Sequence, residues 1–534
     1  MSSIPLSAGL ASLLVALFIW FRKPKASTAS LPPGPKPVPV LGNVRDLTAK
    51  ELWLPAAEWA KQYGDVVYLH VLGQGLVFLN SPEAAFELLD KRGSIYSDKP
   101  ALVMAGELCG CKNMVWLLFR YVDPSLTLPT SDSVQVAFTA YGDQSKRQRK
   151  LMHKAFGLPA IPSYNPLLQS ETHAFLRRIV SSPESYVAHT RRYAGALTLK
   201  VVYGYEPLAY EDKFIALAEE CVDILANEIA SGGGIWPVDI FPSLQRLPVW
   251  APGAGFKVKA ARWKAKMEEF VDKPYEYVKN SIKSGTFKPS FCSTLLDDDN
   301  KTTPEFEFDL KWTANSMYSA SMDTTMTTVS HFLLAMIAHP EVLAEAQKEI
   351  DTVVGSDRLP TFKDRPKLPY IEAILNETWR WGVPVPLNLP HRLMEDDVYR
   401  DMHIPKGSLI FGNIWAILRD ERIYPNPSTF APERFLEKVD AATERRRDPR
   451  NYVFGFGRRK CPGANLVESS IWLLMTAMIA TLDISKAVDE SGQVVEPQVD
   501  FENPIFRIPN PFKCGLRPRS EQALKLIQQS ELAS

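Results

Sequence analysis

The sequence lacks an excess of charge of either sign. Its 61 Lys and Arg residues are matched by 61 Asp and Glu residues over 534 positions. A chain with no net charge has no basic field for gripping the phosphates of a nucleic acid, and no domain-sized block of Lys and Arg interrupts it. Nucleic acid is therefore not an expected partner.

Cysteine is also scarce, with 6 residues in the chain, at positions 109, 111, 221, 292, 461 and 514. They form one C-x-C pair and no C-x-x-C pair, which is too few and too scattered for a disulfide framework or a zinc site. The body of the chain is therefore expected to face the cytosol. With 46% hydrophobic residues the chain is too apolar to be disordered.

The amino-terminal segment is the longest stretch without charge. Residues 4–21 are uncharged, and as a helix they span about 27 Å, close to the hydrocarbon thickness of a bilayer. Arg22, Lys23 and Lys25 follow the apolar run and favour a cytosolic location for what comes after it. We predict a single transmembrane signal anchor at 4–21, the alternative being a buried core helix, and a basic, Pro-rich linker at 22–40.

Residues 41–534 contain no repeat, low-complexity block or long Gly/Ser linker, which predicts one large domain. Its spacing of apolar residues predicts a mainly α fold with small β-sheets. The predicted helices are 51–63, 82–91, 144–156, 166–180, 208–230, 254–283, 309–338, 340–354, 369–381 and 463–482. The predicted strands are 66–71, 75–80, 398–399 with 404, and 408–411.

A single cysteine in a Gly-rich, basic loop is the most specific feature. Phe454-Gly455-Phe456-Gly457-Arg458-Arg459-Lys460-Cys461-Pro462-Gly463 surrounds Cys461 with positive side chains and places it just before a predicted helix, whose amino terminus favours negative charge. These conditions suit a thiolate that binds a metal. The alternative is a buried, inert cysteine.

This loop meets every fixed position of F-x-x-G-x-R-x-C-x-G, and on it the chain resembles the cytochrome P450 family, in particular membrane-anchored, microsomal members of the kind found in fungal secondary metabolism. The resemblance implies the cytochrome P450 fold and a haem b cofactor. It also implies that Cys461 is the axial ligand of the haem iron and that Arg459 binds a haem propionate. Phe454 is implied to pack beside the ligand loop.

Two further motifs extend the resemblance. Glu377 and Arg380 match E-x-x-R, a spacing that puts both charges on one helix face, and Arg434 stands in the P-E-R-F stretch that precedes the cysteine loop. In the family these three residues form a Glu–Arg–Arg triad that holds the proximal side of the haem. Such a buried group is better interpreted as a specifier of geometry than as a source of stability.

The apolar pattern over 309–338 predicts one helix of about 45 Å, with the Thr-rich stretch Ala320–Thr325 in its middle. A Thr hydroxyl that bonds the carbonyl four residues back can open a helix. By resemblance Asp323 and Thr324 are the acid–alcohol pair that delivers protons to the oxygen being reduced, with a structural Thr-rich turn as the alternative. Ser321 departs from the glycine usual there and could narrow the opening.

Two more residues are implied as propionate ligands. Arg149 lies in a stretch that resembles W-x-x-x-R, although Ser145 occupies the tryptophan position. His391 stands where many members place another ligand, its alternative being an exposed turn histidine. Both residue types suit a carboxylate.

Residues 115–135 interrupt the resemblance. Their in-frame length, and the codons possible for Val115 and Gln135, allow a retained intron in the gene sequence. The alternative is a genuine long loop near the substrate pocket. Transcript sequence would decide between them.

We therefore expect a haem-thiolate monooxygenase of the endoplasmic reticulum membrane that oxidises a lipophilic terpenoid or polyketide in fungal secondary metabolism. Only 73 residues follow Cys461, so NADPH electrons would come from a separate NADPH–cytochrome P450 reductase. An electron-independent haem-thiolate isomerase or dehydratase, or a non-catalytic haem binder, is the alternative. The basic residues Arg445, Arg446, Arg447, Arg450, Arg458 and Lys460 form either a reductase-docking face or a solvated loop. Trp236 is a candidate bilayer contact.

Overall fold

The computed structural model of the protein describes residues 29–47, 50–100, 102–110, 139–209, 211–229, 236–296, 303–501 and 505–529. The predicted membrane anchor at 4–21, the first part of the linker at 22–40 and the predicted insert at 115–135 lie outside the described residues. These segments, and the single catalytic domain over 41–534, stay predictions.

The described residues are mainly helical, and each predicted helix has a counterpart. The α-helices in chain order are α1 (Trp53–Tyr63), α2 (Pro82–Ala85), α3 (Gly93–Tyr96), α4 (Asp143–Phe156), α5 (Asn165–Ser181), α6 (Tyr186–Tyr203), α7 (Lys213–Asp223), α8 (Pro237–Ile240), α9 (Gly255–Lys283), α10 (Phe291–Leu296), α11 (Pro304–Ser319), α12 (Ser321–Ala338), α13 (Pro340–Val353), α14 (Pro369–Gly382), α15 (Ile414–Ile417), α16 (Ala441–Arg447), α17 (Arg450–Val453), α18 (Ala464–Thr481) and α19 (Glu521–Gln529). Proline at the first position of α11, α13 and α14 marks where these helices begin, because its missing N–H is not needed there.

The strands are few and short. They are β1 (Val66–Val71), β2 (Gln74–Leu79), β3 (His391–Arg392), β4 (Asp397–Tyr399), β5 (Met402–Ile404), β6 (Leu409–Gly412), β7 (Leu482–Val488), β8 (Val494–Val495) and β9 (Cys514–Pro518). They form a four-stranded sheet in the order β1-β2-β6-β3, a β4-β5 hairpin and a three-stranded sheet in the order β8-β7-β9. Every pair is antiparallel except β2 with β6, which is parallel.

The described chain divides into two compact units. The first unit comprises the residues up to Pro100, Leu387–Ile417 and Phe456–Arg459. Helix α1 packs on its four-stranded sheet, where Ala56 meets alternate residues of β1 and β2 such as Val67 and Phe78. The rings of Phe78 and Phe411 stack with 5.0 Å between their centroids, which joins β2 to β6.

The second unit comprises Ala101–Pro386, Leu418–Gly455 and Lys460–Ser534. Helix α12 runs through its core, buried from Thr325 to Ile337, and packs against α6, α14 and α18. Within the described part of the chain, α18 is the one helix long and apolar enough to cross a membrane. Because 67% of it is buried inside the protein, it reads as a core helix.

Trp236, the sequence candidate for a bilayer contact, faces the protein. Its indole N–H donates to the carbonyl of Ile229 (2.9 Å), and its ring meets that of Trp263 at 6.0 Å. The large exposed apolar side chains of this region belong instead to Phe241, Val249 and Trp250, and Trp250 is 84% exposed. Trp236 is half-buried in these contacts, and its predicted contact with the bilayer stays a prediction.

Candidate active site

The Cys461 loop of the second unit is held by its own backbone. The N–H of Cys461 donates to the carbonyl of Phe454 at 2.7 Å, which closes the loop between α17 and α18. The sulfur accepts the backbone N–H groups of Gly463 and Ala464, at the start of α18. Protein atoms surround the Cys461 thiol closely enough to desolvate it, although the residue keeps part of its surface exposed.

The electrostatics of Cys461 combine opposing effects. Burial within the surrounding protein raises the pKa of its thiol, while the N–H of Gly463 and the positive charge of Arg149 act to lower it. The net pKa stays above that of an ordinary cysteine. A coordinating metal ion overrides such a shift, because a metal-bound thiol loses its proton outright. The site therefore suits a metal ligand better than a free nucleophile.

Arg149 lies beside the Cys461 loop. Its guanidinium donates to the carbonyl of Lys460 at 2.5 Å, and desolvation lowers its pKa while the proximity of Cys461 raises it. Ser145, at the expected tryptophan position, bonds its own helix start: its hydroxyl donates to the carbonyl of Gly142 (2.9 Å) and accepts the N–H of Gly142 (3.2 Å). Ser145 thus caps the start of α4. Arg149 is the residue of α4 that donates a hydrogen bond to the Cys461 loop.

The predicted triad is assembled and buried. Arg380 donates two parallel bonds to Glu377, at 2.6 and 2.7 Å, and Arg434 adds one at 3.2 Å. Glu377 and Arg380 have no exposed side-chain surface. The remaining N–H groups of Arg380 reach the carbonyls of Leu418 and Thr429 at 3.1 Å, and that of Pro427 at 2.8 Å. The triad pins the segment that leads to the cysteine loop onto α14.

Phe454 connects that helix to the loop. Its ring contacts Trp379 of α14 edge-on, with centroids 5.2 Å apart, while its carbonyl holds the Cys461 N–H. Trp379, the residue that Phe454 contacts, lies two positions beyond Glu377 on α14.

The predicted helix 309–338 is broken at Ala320, so the prediction of one continuous helix is wrong. The hydroxyl of Thr324 donates to the carbonyl of Ala320 (2.9 Å), and that of Ser321 donates to the carbonyl of Tyr318 (2.8 Å). Side-chain hydroxyls thus take backbone acceptors at the break. Ala320 is exposed, and its neighbours Ser319 and Ser321 are half-buried, which indicates open space beside the break.

Asp323 meets Arg191 of α6 at this break. The nearest approach of the two groups is 3.6 Å. Burial raises the pKa of Asp323, and the guanidinium of Arg191 opposes that effect. Glu219 of α7 interacts electrostatically with both, and its own pKa is raised by burial. An acid, a hydroxyl and a cation therefore lie together where α11 passes into α12.

In the first unit, three basic groups converge. His391 is buried, and its Nδ1–H donates to the carbonyl of Tyr96 (2.8 Å). Burial, together with the charges of Lys99 and Arg459, holds its pKa well below the usual range. Arg459 donates to the carbonyl of Ser97 (2.7 Å), and Lys99 donates to those of Leu389 and Pro390 at 3.1 and 3.2 Å. The predicted alternative of an exposed turn histidine is wrong.

Gly457 fixes the first half of the motif in this unit. Its φ is +50°, and a Cβ placed on it would lie 2.2 Å from the carbonyl oxygen of Leu89. Both the left-handed backbone and the close approach require glycine here.

Sequence reasoning missed Arg191 and Lys99. Arg191 lies on α6, a helix buried almost all round, so that no polar face marked it as a helix. Lys99 stands in Tyr96-Ser97-Asp98-Lys99-Pro100. Its burial in the folded protein distinguishes it from surface lysines, and its neighbours in the sequence do not. A buried lysine beside a buried histidine was not visible from spacing.

In the second unit, Cys461 and Arg149 fit a haem with a thiolate ligand. Among the described residues no group of three or more His, Cys, Asp or Glu side chains could hold a metal ion. The two cations of the first unit, Lys99 and Arg459, favour an anion beside His391, since a carboxylate would offset their mutual repulsion. Arg149 of the second unit offers a further cation for a carboxylate.

Comparison with known proteins gives one consistent result. A family model described as Cytochrome P450 matches residues 32–110 and 119–509. The chain is 40% identical over 523 residues to cytochrome P450 monooxygenase claT of Ampulloclitocybe clavipes, with 98% of each chain covered. It is 38% identical over 523 residues to cytochrome P450 monooxygenase 176 of Postia placenta, with 96% of each covered. With cytochrome P450 monooxygenase ple1 of Rhodocybe pseudopiperita it shares 36% over 517 residues, covering 96% and 94%.

Proposed function

Because this chain belongs to the cytochrome P450 family, and is an enzyme of its monooxygenase class, we propose that Cys461 binds a haem b and that the protein oxidises a lipophilic small molecule with O2 and NADPH-derived electrons. The observation that carries the proposal is the Cys461 loop. The sulfur of Cys461 accepts two backbone N–H groups near the cation of Arg149, within a motif whose fixed positions are all present.

The residues divide the work by their chemistry. When bound, the haem would supply O2 activation, which a thiolate ligand promotes by electron donation. Arg149, Arg459 and His391, together with Lys99, would hold the carboxylates of the prosthetic group. Glu377, Arg380 and Arg434 fix α14 and the segment before the ligand loop, so that the sulfur keeps its direction.

Asp323 and Thr324 would move protons at the break between α11 and α12. The Thr324 hydroxyl can accept a hydrogen bond from water. It can donate its own hydrogen to another group only after it releases the carbonyl of Ala320. Asp323 is the nearby acid that can resupply it, and Arg191 holds that carboxylate at rest. A positioned proton donor is worth about 10²–10⁴ in rate.

Replacing Thr324 by alanine should uncouple electron use from product formation. We expect NADPH consumption to continue while product per NADPH falls on the order of 10-fold or more and peroxide rises, because the proton donor is gone and the ligand loop is intact. Thr328→Ala is the matched control, since its hydroxyl also bonds the carbonyl four residues back (2.9 Å), but at a buried position.

Ser321 lies close enough along the chain to replace the lost hydroxyl in part. The variant pair should therefore be repeated in a Ser321→Gly background, with product and peroxide measured per NADPH. Equal coupling of Ser321→Gly with and without Thr324→Ala would make Thr324 a structural residue.

A separate reductase is the proposed electron donor. Of the basic residues considered for docking, Arg447 pairs with Glu437 (2.7 Å) and Arg450 with Asp448 (2.8 Å), so intramolecular carboxylates already engage them. Arg445, Arg446 and Lys460 are exposed in the second unit and stay the candidates for contact with an acidic partner.

The membrane location also stays a proposal. The uncharged segment 4–21 and the cations after it support a single-pass anchor in the endoplasmic reticulum membrane with a cytosolic catalytic domain. Trp250 and Val249, both exposed, support an additional contact with lipid. Such a contact would bring the enzyme to substrates dissolved in the bilayer.

The substrate class is tested with the enzyme in membranes together with a reductase. A panel of terpenoids and polyketides is incubated with NADPH, and products are sought that gain one oxygen atom. A role in fungal secondary metabolism is supported by such a product. Turnover without NADPH would instead indicate an isomerase or dehydratase.

A further inference from the structure

A network of five charged side chains links the segments before and after the Cys461 loop to α14. Arg365 donates two bonds to Glu372 (3.0 and 2.9 Å) and one to Glu468 (2.8 Å). Arg450 approaches the same two carboxylates, at 3.4 Å from Glu372 and 3.3 Å from Glu468. Asp448 accepts both the Nε–H and the backbone N–H of Arg450, at 2.8 and 2.9 Å.

The members of this network stand on the elements that flank the ligand loop. Glu372 is on α14, Glu468 is on α18, and Arg450 is the first residue of α17. The residue after α17 is Phe454, whose carbonyl accepts the N–H of Cys461. One short helical turn therefore separates the guanidinium of Arg450 from the hydrogen bond that closes the loop.

The network differs from ordinary surface ion pairs. The side chain of Arg450 is 32% exposed, and those of Glu372 and Glu468 are 28% and 25% exposed, so water screens these charges less than it screens free side chains. Each glutamate is also shared by two arginines. Shared, partly buried pairs constrain geometry more than isolated exposed pairs do.

We propose that Arg450 is a positioning residue for the Cys461 thiolate. Its guanidinium ties α17 at the same time to α14 and to α18, and thereby fixes the Phe454 carbonyl that orients the Cys461 N–H. This assignment rests on the proposed function, in which Cys461 is the haem ligand. It gives Arg450 an internal role in place of the docking role considered from sequence.

The test uses the full-length, haem-loaded protein and follows the CO difference spectrum of the reduced form. In Arg450→Gln we expect haem to stay bound while the thiolate-ligated signal converts to the thiol-ligated one about tenfold faster on mild warming, because the coupling between Arg450 and its contacting carboxylates is lost. Hydrogen exchange of the peptide 450–463 should rise in parallel, because the Cys461 N–H opens more often.

Arg447→Gln is the matched control. It removes an ion pair of 2.7 Å three residues earlier, and Glu437, its partner, belongs to neither flanking helix. Arg450→Lys should behave between parent and Arg450→Gln, because one ammonium cannot serve Asp448 and both glutamates. Glu468→Gln provides a second route to the same effect if Arg450→Gln does not accumulate.

Equal conversion rates in Arg450→Gln and Arg447→Gln overturn the assignment, as do parent-like rates in Glu468→Gln. Unfolding that precedes any change in the thiolate signal also overturns it, since Arg450 then stabilises the fold without positioning the ligand. If the parent shows no thiolate signal, or Cys461→Ser retains it, the proposed function itself fails.

Discussion

Cys461→Ser is expected to abolish the thiolate-ligated CO spectrum and the monooxygenase activity while leaving most of the fold intact. The side chain is exposed, so the substitution disturbs no packed core. A serine hydroxyl can still accept the N–H groups of Gly463 and Ala464, but it stays protonated and cannot supply the electron donation of a sulfur anion. The loss should therefore be chemical rather than structural.

Serine variants of other cysteines provide the controls for this experiment. Cys514 is partly exposed, and Cys109, Cys221 and Cys292 are buried, with burial raising the pKa of each thiol. None of these serine substitutions should remove the thiolate-ligated CO signal from the fraction of the variant protein that is folded. A second cysteine whose replacement has the same effect as that of Cys461 would show that the ligand is misassigned.

Glu377→Gln should prevent accumulation of folded, haem-containing protein. The Glu377 carboxylate accepts two bonds from Arg380, one from Arg434 and one from the N–H of Ala431 at 2.8 Å. Neutralising it leaves the fully buried guanidinium of Arg380 without its counter-charge, and breaking a buried pair in this way costs about 3–5 kcal/mol. That is a large share of the about 5–15 kcal/mol by which folded domains are stable.

Soluble yield, haem content and thermal unfolding measure this effect. Glu345→Gln is the control, because Glu345 pairs with Lys348 on the exposed surface of α13 and its loss should change none of the three. A Glu377→Gln protein that binds haem and unfolds at the temperature of the parent would mean that the triad is dispensable.

The sequence predicted those parts of the protein that short-range patterns encode. The cysteine loop and the E-x-x-R pair each lie within ten residues. In amphipathic helices such as α4 and α14, the spacing of the apolar residues marks the face that is buried. Helix α6 was not predicted. Its residues from Tyr193 to Val202 are buried on nearly every side, so the alternation of apolar and polar residues that marks a helix is absent there. Periodicity also continued through Ala320, where hydroxyl bonds rather than apolar spacing end α11.

Contacts between distant segments could not be obtained in this way. Strands β7 and β9 pair Leu482 with Pro518, and a five-residue strand gives no indication of its partner. The approach of Arg191 to Asp323 depends on how α6 packs along α12, and the sequence contains no information on that register beyond apolar content. A site formed by one continuous segment can thus be predicted from the sequence, whereas a site formed by the packing of distant segments cannot.

The two glycines of the ligand motif would behave differently in a mutational library. At Gly457 every substitution meets two barriers, a φ of +50° and a carbonyl oxygen 2.2 Å from the new Cβ, so variants at this codon should vanish from a selection for folded protein. At Gly463 the nearest atom to an added Cβ is the Cys461 sulfur, at 3.9 Å. Alanine there should survive a folding selection and be lost only when the selection requires a ligand that approaches that sulfur, so the two codons separate selection for architecture from selection for chemistry.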